Sequence, residues 1–209
     1  MIPRPAPRGP SFICPRNCSE ESDHPMALPS TIHRVTIQLS HVDCGIYETL
    51  QATLARHPSE TAERLVLRLL AYAVCYRPEL AFTRGIGAAD EPDLWVKGPD
   101  DRVALWIEVG TPEPERLIKA SRHAGRVVLL AGAPNRHRWV EQHLARLAGV
   151  ANLTVIGLDF AVVRLLAAGL ERSIAWDVTI TGGALYVTTA GETLDASLEP
   201  LAGPPLFAD

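Results

Sequence analysis

The sequence contains little lysine: of its 20 lysine and arginine residues, only Lys97 and Lys119 are lysines. It has no run of about 18 to 20 apolar residues, so no transmembrane helix is expected. It also has no glycine-rich phosphate loop and no serine-hydrolase elbow. The first 25 residues lack the apolar core of a secretory signal. These absences argue against an integral membrane protein and several common hydrolases, and they indicate a cytoplasmic location.

Cysteine is scarce and scattered. Cys14 and Cys18 lie near the N-terminus, whereas Cys44 and Cys75 lie far along the chain. A structural zinc site needs four ligands at compact spacing, and that spacing is missing here. The four residues are therefore interpreted as free thiols.

The composition indicates one globular domain. With 47% hydrophobic and 21% charged residues among 209, the chain can bury a sizeable core. Residues 1–25 are rich in proline and polar groups and are predicted to be a disordered extension. Residues 26–202 are predicted to form the domain, and residues 203–209 a loose tail. The net charge of −4 argues against a non-specific nucleic-acid coat protein but permits a local basic groove.

Hydrophobic periodicity predicts an α/β fold with a mixed central sheet flanked by helices and followed by C-terminal antiparallel strands. Residues 42–55 are interpreted as a polar connection or a short irregular strand. The strongest helix is expected over residues 56–76, capped by His57 or Ser59. The other predicted helices cover 112–123, about 134–147 and 159–168, and the predicted strands cover 32–39, 94–96, 103–109, 126–131, 152–157, 174–180, 184–189 and 193–198.

Two carboxylates mark the candidate site. Glu108 lies near the end of an apolar strand, where a carboxylate is costly unless it is paired or bound to a metal. Asp93 precedes a shorter strand, which the turn at Gly98 joins to the first as a hairpin. The hairpin could bring both carboxylates together. Mg²⁺ takes one or two carboxylates and can activate water for attack on phosphorus.

A third carboxylate is expected from the long helix. At 100° per residue, Glu63 falls within the apolar arc, where a charged group needs a cation or a metal. Glu60 is explained instead by the helix dipole and an ion pair with Arg64. Glu63 is therefore preferred over Glu60 as a site residue. In the following helix, Lys119 is a candidate for orienting water, with a solvated surface lysine as the alternative.

The best candidate nucleic-acid surface runs from Arg116 to Arg146, which holds seven basic residues and one acidic residue. Arginines could contact phosphates here, although solvated helix faces are the alternative. Trp139 could stack on a base, but it is more typical of a core position. The candidate nucleic-acid-binding residues are Arg84, Arg116, Arg122, Arg136 and Arg138. Arg84 could equally pair with the neighbouring acidic cluster, Asp90 and Glu91.

Several motifs together resemble the YaeQ family of bacterial proteins. They are residues 54–61 with Glu63 and Arg64, 82–85, 90–92 with Trp95, and 105–108 with Gly110. Pro92-Asp93, fourteen residues and then Glu108-x-Gly110 also resemble the PD-(D/E)XK nuclease pattern, with Gly110 in place of its lysine. The resemblance implies a variant nuclease-like fold, with Asp93, Glu108 and Glu63 as ligands for Mg²⁺ or Mn²⁺ and Lys119 as a relocated lysine.

Three functions are compatible with these features. The first is a metal-dependent phosphodiesterase or nuclease, in which Asp93, Glu108 and Lys119 converge in a concave site. The second is a catalytically inactive module of the same fold that binds nucleic acid through a groove. The third is a protein-interaction protein whose carboxylates are ion-pair partners of Arg64 or Arg84.

Overall fold

The computed structural model describes residues 30–88 and 90–206. The predicted N-terminal extension, with Cys14 and Cys18, lies outside the described residues. The elements in chain order are β1 (Thr31–His41), β2 (Ile46–Arg56), α1 (Ala62–Val74), β3 (Ala81–Phe82), β4 (Leu94–Lys97), β5 (Val103–Val109), α2 (Pro114–Ser121), β6 (Ala124–Ala131), α3 (Arg136–Leu147), β7 (Leu153–Gly157), α4 (Phe160–Ala168), β8 (Ser173–Thr181), β9 (Ala184–Thr189), β10 (Glu192–Ser197) and β11 (Glu199–Ala202).

The strands form two mixed sheets, whereas a mixed central sheet followed by C-terminal antiparallel strands was predicted. One sheet has the order β10-β9-β8-β1-β2, and the other has the order β11-β7-β6-β5-β4-β3. Strand β1 pairs in parallel with β8, so it joins the C-terminal hairpin instead of the sheet that carries β5. Alternation within one strand cannot reveal its partner, and this long-range pairing was therefore missed.

Helix α1 lies between the two sheets. Ten of its residues are buried, from Leu65 to Val74. The larger core joins α1 and α4 to the inner faces of both sheets. A smaller core packs α2 and α3 against the outer face of the six-stranded sheet. Burial on all sides explains the broad apolar arc of α1. Within the described residues, no helix is long and apolar enough to cross a membrane.

The boundary between β2 and α1 differs from the prediction. Residues 46–56 form a regular strand that pairs with β1 along its whole length. The helix then begins at Ala62, and Thr61, rather than His57 or Ser59, caps it by accepting a hydrogen bond from the Arg64 amide at 3.2 Å. Polar residues at the exposed positions of β2 had obscured its period-two pattern.

The predicted helices after α1, the β4–β5 hairpin and the β8–β9 hairpin are confirmed, with small differences at their ends. Residues 203–206, which belong to the predicted loose tail, contact the six-stranded sheet. Pro204 and Pro205 accept hydrogen bonds from Thr154 and Arg126 respectively. These contacts hold the segment after β11 against the six-stranded sheet. Residues 207–209 lie outside the described part of the chain.

Gly203 has φ +84° and lies directly against β7, where an added Cβ would overlap the Leu153 carbonyl. Gly191 has a similar φ of +90°, but its Cβ would meet nothing within 4 Å. Left-handed backbone costs a residue with a side chain roughly 1–2 kcal/mol. We expect Gly191→Ala to lose about that much unfolding free energy in urea titrations. Gly203→Ala should lose more, and equal losses would contradict the packing of residues 203–206.

Candidate functional site

A cleft of about 680 Å³ opens at the carboxyl ends of the parallel strands β5, β6 and β7. Its walls come from the residues that follow β5 and β6, including Gly110 and Gly132, and from the first turns of α1 and α4. Ligands of α/β proteins commonly bind where parallel strands end and the next helices begin. The charged lining residues are Glu63, Arg64, Glu91, Asp93, Glu108 and Arg116.

Asp93 lies at the base of this cleft and is fully buried. Nη2 of Arg64 donates to both of its carboxylate oxygens, at 2.7 and 2.9 Å. The Val109 amide donates to Oδ2 at 2.9 Å. Nη1 of Arg64 also donates to the Val109 carbonyl at 3.3 Å. Asp93 therefore links the first turn of α1 to the end of β5.

A second arginine, Arg68, also lies close to the Asp93 carboxylate. Arg68 lies one turn after Arg64, is buried, and places Nε 3.7 Å from Oδ1 of Asp93. Its Nη1 donates to Glu60 at 3.1 Å, and its Nη2 donates to the Thr83 carbonyl at 2.9 Å. Gly85 has φ +56°, and a Cβ there would lie only 3.3 Å from the Arg68 guanidinium. Glycine at this position fits both the turn and the packed arginine.

Glu108 is 2% exposed and belongs to a separate cluster. Its Oε1 accepts hydrogen bonds from Nε of Arg116 at 2.7 Å and from the Trp106 indole at 2.8 Å. Burial raises the pKa of Glu108, and the charge of Asp93 raises it further, while Arg116 and Trp106 oppose the shift. A carboxyl group with a perturbed pKa in a cleft is a typical functional candidate.

Glu63 lines the cleft, but it is half-buried rather than fully buried. The predicted pair between Glu60 and Arg64 is not formed, because Arg64 turns to Asp93 and Glu60 is buried against Arg68. Glu60 precedes the first residue of α1, so the i,i+4 spacing of a helix does not apply to it and could not predict its ion-pair partner. Glu63 has no ion-pair partner within 4 Å among the described residues.

Lys119 is not brought to the cleft. It is 73% exposed and lies 3.6 Å from the exposed carboxylate of Asp90. Arg116, one turn earlier on α2, takes the position facing Glu108. A basic residue is thus present on the predicted helix, but it is the arginine rather than the lysine that reaches the site.

The predicted basic surface is divided among several faces. Arg136 pairs with Glu199, and Arg146 pairs with Glu115. Arg84 forms an ion pair with Glu91 at 2.8 Å, which was the predicted alternative to a phosphate contact. Arg122 and Arg138 are exposed outside the cleft lining. Trp139 is buried and donates to the Pro112 carbonyl, so it belongs to the core.

The contacts of Asp93 bear on the expected Mg²⁺ or Mn²⁺. Mg²⁺ binds through carboxylate lone pairs, whereas both oxygens of Asp93 already accept hydrogen bonds from Arg64 and Val109. Among the described residues, no group of three or more His, Cys, Asp or Glu side chains is arranged to hold a metal. The residues do not fit a metal at Asp93 while Arg64 holds this position, and the metal stays a prediction.

The fold and the site define an α/β protein with an arginine–carboxylate cleft at the carboxyl ends of its parallel strands. The family model described as "YaeQ protein" matches residues 26–198. The chain belongs to the YaeQ family. Salmonella typhi "Uncharacterized protein YaeQ" is 37% identical over 174 residues, which cover 83% of this chain and 96% of the relative. Its Escherichia coli (strain K12) counterpart is 34% identical over 174 residues, which again cover 83% of this chain and 96% of the relative.

Solved structures of YaeQ proteins share this fold. The YaeQ protein from Xanthomonas axonopodis pv. citri superposes with a TM-score of 0.80 at 34% identity, covering 84% of this chain and 99% of the other. The YaeQ protein from Pseudomonas syringae also gives 0.80, at 40% identity, with 84% and 97% coverage. The family-level resemblance is therefore confirmed, while the PD-(D/E)XK relationship and the activity stay predictions.

The raised pKa of Glu108 predicts a specific pH dependence of stability. The unfolded state loses this proton near the usual glutamate pKa of about 4.3, before the folded state does. The stabilising contribution of Glu108 is thus complete at lower pH and is lost as pH rises through the folded-state pKa. As pH rises from the unfolded-state pKa through the folded-state pKa, we expect the unfolding free energy of Glu108→Gln to increase relative to that of the wild type. Urea titrations at a series of pH values measure this difference.

Glu115→Gln is the control with opposite sign. The backbone amide of Glu115 and then Arg146 lower the pKa of the exposed Glu115 carboxyl. Its contribution is therefore present above the usual pKa and is lost as pH falls. A Glu108→Gln difference that stays constant with pH would contradict the assigned environment of Glu108.

Proposed function

We propose that this protein is a binding module that holds a phosphate group of a nucleic acid, at an exposed strand end or in a single-stranded segment, in the cleft. The observation that carries the proposal is the pair Arg64 and Arg116. Each contributes to the cleft lining, and each is held by a buried carboxylate. Guanidinium groups recognise phosphate through directed N–H donors, and fixing them in advance reduces the entropy lost on binding.

The helix termini support an anionic ligand. Thr61 caps α1, Pro112 and Pro134 lie just before α2 and α3, and Phe160 begins α4. All four residues line the cleft. Helix N-termini present unpaired amides and a partial positive charge, which favour a bound anion. The two arginines add full charges to that field.

The carboxylates of the cleft do not oppose this proposal as strongly as their number suggests. Asp93 lies against Arg64 and Arg68, and Glu91 against Arg84. Glu108 has a raised pKa, which disfavours its charged form. Of the four carboxylates that line the cleft, Glu63 is the one that has no ion pair with a described residue, and it would disfavour anions close to the start of α1.

The size and lining of the cleft favour a strand end over duplex. A volume of about 680 Å³ suits one or two nucleotides rather than a helix. Phe160 and the exposed Ile86 provide apolar surface in the same cleft. Aromatic side chains stack on bases without regard to sequence. Since the arginines of α2 and α3 are divided among several faces, no continuous basic track for a duplex accompanies the cleft in the described residues.

Arg116→Gln tests this proposal. Hydrogen bonds to charged groups contribute about 1.5–3 kcal/mol, so affinity for a short fluorescein-labelled single strand should fall about tenfold or more. The slope of log affinity against log salt concentration should also become shallower by about one unit, because one phosphate contact is lost. Fluorescence anisotropy over a range of salt concentrations measures both quantities for DNA and RNA strands.

Arg138→Gln is the matched control, because it removes the same charge from the exposed face of α3. Its affinity should stay near that of the wild type. Equal losses in both variants would favour the predicted basic surface over the cleft. Absence of binding in a folded wild type would refute the proposed ligand class.

A metal-dependent phosphodiesterase is the second candidate, and it is favoured by one observation. Glu63, Asp93 and Glu108 line the same cleft. This candidate requires Arg64 to leave Asp93, whereas the binding module requires no metal.

Calorimetry with Mn²⁺ separates the two candidates. Wild-type heat of binding that disappears in Glu108→Ala but persists in Lys119→Ala, together with metal-dependent cleavage of mixed nucleic acids, would establish the phosphodiesterase. The binding module predicts no such heat and no cleavage, with strand binding unaffected by a chelator.

A further inference from the structure

Four sheet edges are present in the described residues, and three of them have features that discourage pairing with another chain. Strand β3 has only two residues. Strand β11 has four and contains Pro200, which lacks an amide donor. Strand β10 carries Glu192 and Asp195 without a cation, so pairing with its own copy would bring like charges together. Short strands, proline and charge are the usual ways in which edges are protected.

The fourth edge, β2, is neither short nor interrupted by proline, and its two charged residues, Glu48 and Arg56, are of opposite sign. It runs for eleven residues, from Ile46 to Arg56, and pairs with β1 on one side only. It contains no proline and no lysine. The described residues leave its other side open to a further strand. A long regular edge of this kind is a template for strand addition.

The sequence of β2 is complementary to itself when read in the opposite direction. An antiparallel pair of two copies, with a twofold axis at Ala52, places each residue opposite one equally far on the other side of Ala52. Glu48 then faces Arg56, and Leu50 faces Leu54. Opposite charges directly across an antiparallel pair are stabilising, and the symmetry provides the ion pair twice.

The side chains of Glu48 and Arg56 are both available for an ion pair between two copies. The side chain of Glu48 is exposed and makes no ion pair or hydrogen bond within the described part of the chain. Arg56 uses Nε to donate to the Glu60 carbonyl at 3.0 Å. Its terminal nitrogens make no hydrogen bond or ion pair in the described residues. The pair would thus form without breaking an existing contact.

The outer face of this sheet adds an apolar match. Tyr47 on β2 and Ile32 on the adjacent strand β1 are 64% and 50% exposed, at opposite ends of this strand pair. Ile32 lies beside Ala55, which would face Thr49 of a second copy in the same register. Tyr47 of that copy would be a diagonal neighbour of Ala55, within reach of an aromatic side chain. The twofold operation therefore brings two exposed apolar groups towards each other.

We infer that β2 is a self-association edge, through which two copies of this chain join their five-stranded sheets around a twofold axis at Ala52. The interface is a strand pair rather than a broad surface, so the dimer is expected to be weak and concentration-dependent. The cleft lies at the ends of the other sheet and plays no part in this contact, so the inference is independent of the proposed ligand.

Charge exchange tests the register. Sedimentation equilibrium of the full chain should show an average mass that rises from monomer towards dimer with concentration. Glu48→Arg and Arg56→Glu should each weaken the association about tenfold, since each replaces two attractive pairs with repulsive ones. The double variant, with both changes, should regain most of the wild-type association because it restores opposite charges.

Glu192→Arg is the matched control, because it reverses a charge on the opposite edge of the same sheet and should leave the association unchanged. Far-ultraviolet circular dichroism and thermal melting check that each variant is folded. A wild type that remains monomeric would overturn the inference. Single variants that associate like the wild type, or a double variant that is not restored, would overturn the proposed register.

Discussion

The buried carboxylate of Asp93 is the interaction on which the site depends. It accepts hydrogen bonds from Arg64 on α1 and from the Val109 amide at the end of β5. Removing one partner from a buried ion pair generally costs more than the pair contributes, because the other charge is left without solvent. This constraint fixes the first turn of α1 against the ends of the strands. The position of the cleft follows from it.

The two-sheet architecture explains why such a network exists. Helix α1 is enclosed between the sheets, and Arg68 on its second turn is 2% exposed. A guanidinium at this depth needs several acceptors, which Glu60, Thr83 and Asp93 provide. Arg64, one turn earlier, lies where the enclosure opens and is 30% exposed. The same helix thus supplies a structural arginine and an arginine that faces the cleft.

Much of the local structure was predictable from residues alone. The apolar run before Gly110 predicted β5, and the turn at Gly98 predicted its hairpin with β4. The cost of burying Glu108 and the position of Asp93 before a strand marked both as site residues, and both line the cleft. The family resemblance was confirmed by the match over residues 26–198. Strand β2 was predicted only as a polar connection or a short irregular strand, because its polar residues resemble those of a loop.

The partners of these residues were not predictable. The spacing between Glu60 and Arg64 suggested a local ion pair. In the folded protein Glu60 pairs with Arg68 instead, and Arg64 pairs with Asp93. Lys119 and Arg116 lie one turn apart on α2, and only the packing of that helix brings Arg116 to Glu108. The sequence by itself determined which segments become helices and strands and which carboxylates need compensation, because periodicity and burial cost are local properties. Only the tertiary structure decided which cation compensates each carboxylate and which sheet each strand joins, because those choices depend on residues far apart in the chain.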